Sequence, residues 1–260
     1  MGAAPEPGIA ALLSFLLVLA RVGAALAFVP LPGFRQGPAT ARLLLTLAAT
    51  LALYPAWPSP PTSRPDAGLL TAWLLGEAAF GVTVGLAVAF LNEALLVAAQ
   101  IFGLQAGYSY AATIDPATEA DSNVLLIFAQ FMAGLLFFSL GLHLEVLKVF
   151  ARSLQTHPPG SFALAPARAE AIVGLGAGMF STGLKLALPV VALLVLVDTA
   201  LALLGRIHAH LQLLMLAFPA KMLAALAMLA AIAGLYLKLY RAAAEQAFGA
   251  LFRVLGSNAG

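Results

Sequence analysis

Long apolar runs over residues 9–29, 39–57, 67–103, 124–150, 169–204 and 211–240 leave this chain few ways to fold. About 20 apolar residues suffice to cross a hydrocarbon layer as a helix. In lipid, backbone amides must be satisfied within a helix or a closed barrel, and runs of this length and continuity read as helices. Composition agrees: 62% of the residues are hydrophobic and 9% are charged, against about 25% charged in a soluble domain. The expected fold is an all-α integral membrane protein of long, kinked helical hairpins, in one domain over residues 1–260.

Several runs do not fit a simple crossing. Residues 67–103 would extend about 55 Å at 1.5 Å per residue, far beyond a ~30 Å hydrocarbon core. They form either one overlong helix or two elements broken near Asn92 and Glu93. The run over 169–204 is also too long and carries Pro189, and the run over 211–240 carries Pro219. A proline-rich segment over 58–65 excludes helix there. The first run follows a segment with Glu6 and no Lys or Arg, so it is expected to be a membrane helix and not a signal peptide. Lys and Arg mark many helix ends without alternation, giving no clear orientation. Such a chain is built to pack into a larger assembly.

Other classes are excluded on chemistry. The net charge of +2 comes from 13 basic and 11 acidic residues spread thinly, with no basic stripe for nucleic acid. There is no cysteine, hence no disulfide, thiolate metal site or thiol catalysis. His143 and Glu145, like His208 and His210, stand two apart and point away from each other on a helix, which disfavours a metal site. No nucleophile elbow, P-loop or dinucleotide fingerprint is present. Neither an enzyme nor a cofactor is expected.

Three features remain. The first is the polar, glycine-punctuated segment G-L-Q-A-G-Y-S-Y-A-A-T-I-D-P-A-T-E-A-D-S-N over 103–123. Irregular backbone between membrane helices requires protein or water around it. Residues 107–122 read either as a connector ending at Asp115-Pro116 or as a plug presenting Tyr108, Tyr110 and Ile114. The second is a set of intramembrane polar residues, Arg21, Arg42, Glu77, Glu93, Lys185, Asp198 and Lys221. For Arg, Lys or Asp the cost at a helix centre is about 2.5–3.5 kcal/mol. They read as pairing with partner subunits or snorkelling to an interface, more readily than as a proton relay. The third is the pairs Gly81/Gly85, Gly103/Gly107 and Gly174/Gly178, each of which bares one helix face for close packing.

The order of motifs resembles the FliR family of flagellar export-gate subunits, related to the T subunits of type III secretion. The likeness runs through R-V-G-A-A-L-A-F-V-P-L-P-G (21–33), a run ending at Pro55, G-E-A-A-F-G-V-T-V-G (76–85) and G-L-Q-A-G-Y-S-Y-A-A-T-I-D-P (103–116). It continues through F-F-S-L-G-L-H (137–143), S-L-Q-T-H-P-P-G (153–160), A-L-P-V (187–190), L-L-G-R-I (203–207) and F-P-A-K (218–221). The chain departs from the family pattern around His143, Ala209-His210 and Gln100. The resemblance implies one copy of this chain assembling with P and Q subunits into a helical hetero-oligomeric gate in the bacterial inner membrane. It also implies contact with switch-type and export-platform membrane subunits. Unfolded substrates would cross through the centre, driven by proton motive force and a separate ATPase. On this likeness the plug carries Gly107, Tyr108, Tyr110, Thr113, Ile114, Asp115 and Pro116. The rival class is a secondary transporter using Glu77, Lys185 and Asp198.

Overall fold

The computed structural model describes residues 7–29, 39–57, 65–108, 124–158, 161–162, 166–207 and 213–256. Among these residues the regular structure is helical, with no strand. The helices are α1 (Pro7–Phe28), α2 (Ala39–Ala52), α3 (Ala67–Ala106), α4 (Val124–Ser139), α5 (Leu142–Thr156), α6 (Pro166–Ile207), α7 (Leu213–Ala231) and α8 (Ala233–Gly256), with a 3₁₀ turn at Tyr54–Ala56. Three helices are long and apolar enough to cross a membrane, and up to five spans result if each of two bent pairs counts as one. The chain is an all-α membrane protein.

The helix breaks follow local chemistry. The run over 67–103 is one continuous helix of 40 residues, about 60 Å long. Asn92 does not interrupt α3, because its buried side chain accepts a hydrogen bond of 2.9 Å from the Tyr240 hydroxyl. The run over 124–150, read from sequence as one helix, instead bends by 60° between α4 and α5. Gly141, at φ 70°, makes that corner. Its N–H closes α4 onto the Phe138 carbonyl at 3.0 Å, and its own carbonyl opens α5 by accepting from Leu144 at 2.9 Å. A side chain would be strained in that left-handed conformation. The last run bends by 63° between α7 and α8, next to Gly234 and not at Pro219, which lies inside α7. Pro189 likewise lies inside a continuous α6 of 42 residues.

The chain groups into two compact units, residues 1–90 with 137–176 and 245–260, and residues 91–136 with 177–244. No linker marks the division in sequence, because α3 passes from the first unit to the second without leaving the helix. In the first unit α1 lies on α3 at the two glycines of the Gly81/Gly85 pair. A Cβ at Gly81 would collide with the Arg21 carbonyl oxygen, and one at Gly85 would stand 2.6 Å from the Ala25 carbonyl oxygen. Leu17, Val18, Val22, Phe80 and Val84 are buried around this crossing. In the second unit a comparable approach occurs at Gly183 of α6, where a Cβ would lie 2.9 Å from both the Ala94 carbonyl oxygen and Val97 Cγ1. Gly183 belongs to no glycine pair at four-residue spacing, so spacing alone does not mark it as a packing site.

Candidate functional site

The residues that begin the central segment are held in place by α3, α6 and α7. At the end of α3 the Gly107 N–H bonds the Leu104 carbonyl at 3.1 Å, and the Tyr108 N–H bonds the Gly103 carbonyl at 3.0 Å. This double closure is a Schellman stop, with Gly107 at φ 86° in its left-handed position. Gly103 and Gly107 therefore do not form a stripe along one helix face, as their spacing had suggested. Gly107 has left the helix, and its bare α-carbon rests on the Phe218 ring, 2.6 Å from where a Cβ would stand. The phenol of Tyr108 donates to the Met222 carbonyl at 3.3 Å. One turn earlier, the Gln105 amide donates to Asp198 Oδ2 at 3.0 Å, and Lys221 pairs with Asp198 Oδ1 at 2.9 Å.

The root of the segment is thus fixed by a turn, a ring contact and hydrogen bonds donated to two further helices. Tyr110, Thr113, Ile114, Asp115 and Pro116 lie outside the described residues. Gly107→Ala is expected to cost at least the ~1–2 kcal/mol of a left-handed alanine, because the methyl group must also displace the Phe218 ring. A fall in melting temperature of the purified protein larger than that of a neighbouring Ala106→Gly control, which carries only the roughly 1 kcal/mol helix cost of glycine, would show it.

In the first unit a second polar cluster is sealed from solvent. Arg21 of α1 and Glu77 of α3 are both 0% exposed and pair at 2.5 Å. The remaining donors of Arg21 reach the Ser153 hydroxyl of α5 at 2.9 Å and the His157 carbonyl at 3.0 Å. Its guanidinium lies 4.4 Å from the centre of the Phe80 ring. Arginine is suited to such a site because its planar fork serves several acceptors at once. Phe80 in turn meets Phe162 edge-on at 5.2 Å, which brings the connector after α5 against α3.

The intramembrane charges thus fall into groups that sequence spacing concealed. Arg21 with Glu77, and Asp198 with Lys221, satisfy each other within the chain, where sequence reading treated them as scattered single charges awaiting partner subunits. Arg42 and Glu93 are half-buried, while Lys185 is exposed on α6. Gly174 and Gly178 have nothing within 4 Å of an added Cβ, so they pack against no neighbour among the described residues. Gln105, Ser153 and Phe218 were missed as contributors. Their signal lay only in belonging to motifs of the resemblance: G-L-Q-A-G, S-L-Q-T-H-P-P-G and F-P-A-K.

The sealed arginine cluster, the glycine-stopped α3 and the segment rooted by F-P-A-K are all built from motifs that carry the resemblance. Residues 12–247 match the family described as bacterial export proteins, family 1. The chain belongs to that family. Among its relatives, flagellar biosynthetic protein FliR of Escherichia coli K12 is 29% identical over 238 residues, covering 91% of this chain and 89% of the relative. FliR of Pectobacterium carotovorum is 29% identical over 225 residues, covering 86% of this chain and 85% of the relative. FliR of Bacillus subtilis is 28% identical over 225 residues, with 83% of this chain and 84% of the relative covered. The match to the bacterial export family extends over both compact units. It therefore includes the Arg21 cluster and the root of the central segment alike.

Proposed function

We propose that this chain forms, with P and Q subunits, the conduit of an export gate, and that residues 107–122 act as its plug. As a FliR-family protein it is a membrane component of a flagellar export apparatus. The finer reading places it at one copy per gate in the bacterial inner membrane, serving transport and not catalysis. The observation that supports the plug is the fixed start of the segment at Gly107 and Tyr108. A loop that closes a passage needs a rigid root, whereas a plain connector does not. A small-solute permease is disfavoured because Glu77, which a relay would have to use, is already neutralised by Arg21 in a sealed cluster.

Two measurements test this reading. Native mass spectrometry of the tagged chain, co-expressed with P and Q subunits, is expected to show one copy of it with several of each partner. A stable homo-oligomer indifferent to those subunits would overturn the assembly. Deletion of residues 107–122 in an assembled gate is expected to raise ion leakage across the membrane at least tenfold. Unchanged leakage and unchanged protein export would overturn the plug.

A further inference from the structure

The outward face of α6 carries a seam that is left exposed among the described residues. Gly178, Ser181, Lys185, Leu188, Ala192 and Val195 are all exposed and follow one another at alternating three- and four-residue steps. That is the spacing of a helix-packing seam, and half of its members are small enough for close approach in lipid. Leu186, Ala187, Val190 and Leu194, which fill the opposite face, are at most 1% exposed, so the seam points away from the chain's own core.

Lys185 decides what can lie on it. It makes no ion pair or hydrogen bond among the described residues, and it stands near the middle of α6, about 30 Å from either end. Glu170, Lys185 and Asp198 divide the helix so finely that no 20-residue stretch of α6 is free of charge. Asp198 is neutralised by Lys221 within the chain. Pro189 moreover lacks the N–H that would close onto the Lys185 carbonyl, so an acceptor and a cation sit together on an apolar surface. A cation so far from the helix ends is best satisfied by an opposite charge at the same depth.

We propose that the Lys185 seam of α6 is the docking face for a membrane helix of another subunit, one that carries an Asp or Glu opposite Lys185. This rests on the export-gate reading and names the chemistry of one contact within it. A photo-crosslinking residue placed at Ala192 or Ser181 of the full chain, expressed in its own assembly, is expected to give a protein adduct. The adduct should map to an apolar helix with a carboxylate about one turn from the attachment point of Ser181 and about two turns from that of Ala192. Crosslinkers at Phe180 or Leu184, which flank the seam, should give at least fivefold less.

Lys185→Glu should reduce the adduct at least tenfold, and replacing the partner's carboxylate by lysine in the same cell should restore it. Lys185→Gln keeps the test readable if the reversed variant is degraded, with at least a threefold loss expected. Lipid-only products, an adduct to residues 109–123 or to a second copy, or insensitivity to both Lys185 variants would each overturn the proposal. If the adduct and charge rescue are found on a helix from outside the export apparatus, the seam stands and the export-gate assignment falls.

Discussion

Replacing Gly81 with leucine is expected to abolish accumulation of the protein in the membrane, and even Gly81→Ala should lower its melting temperature sharply. The new Cβ would collide with the Arg21 carbonyl oxygen and lie 2.9 Å from the Ala24 Cβ. Neither obstacle is the mobile end of a side chain, so relief requires α1 to move off α3. Overpacking a well-filled interior costs about 1–3 kcal/mol and occasionally more. Backbone displacement puts this site at the upper end of that range. The displacement also pulls Arg21 away from Glu77, so the damage is not confined to one contact. Gly174→Ala is the matched control: nothing lies within 4 Å of its added methyl, and alanine favours the helix by roughly 1 kcal/mol over glycine. Equal loss at both positions, followed by thermal melting of the purified protein, would show that the α1–α3 approach is not tight.

The second large effect is expected at the buried ion pair. Arg21→Met leaves Glu77 with its principal partner gone, and Glu77→Leu leaves a sealed guanidinium facing only neutral acceptors. Losing one member of such a pair costs on the order of 3–5 kcal/mol, because the remaining charge stays buried. The double variant should be much less unstable than the sum of the singles. It should still fall short of the natural protein, since Arg21 also donates to Ser153 and to the His157 carbonyl. A double-mutant cycle on melting temperature reads this coupling directly. Strict additivity would mean that the two side chains act independently, in conflict with a contact of 2.5 Å. Ser153→Ala should cost less than either charged variant, because it removes a neutral acceptor and leaves the ion pair in place.

The family likeness lay in motifs that the fold turns into contacts. Arg21, Glu77 and Ser153 belong to three separate motifs and meet in one cluster, joined across 56 and 132 positions. A sequence read residue by residue offers no reason to pair them, because Arg21 and Glu77 are single polar groups within apolar runs and Ser153 lies in a polar stretch far along the chain. The Gly81/Gly85 pair was legible by spacing and does receive a helix. Gly103/Gly107 showed the same spacing and does something else, because whether a helix continues through a glycine depends on what the next residues find to bond. The Tyr108 N–H returns to the Gly103 carbonyl, and the helix stops.

The membrane setting, the helical class and the membership in an export family are legible without the fold. Those follow from apolar length, scarce charge and the order of motifs, all of which are properties of the chain before it folds. Which charges are satisfied inside the chain and which face outward is set by folding alone. Burial of a charge is set by what lies across from it, and those neighbours come from segments far away in sequence. Folding also placed the bends at Gly141 and Ile232 and kept α6 and α7 continuous through their prolines, because packing around a helix can hold it where local propensity would break it.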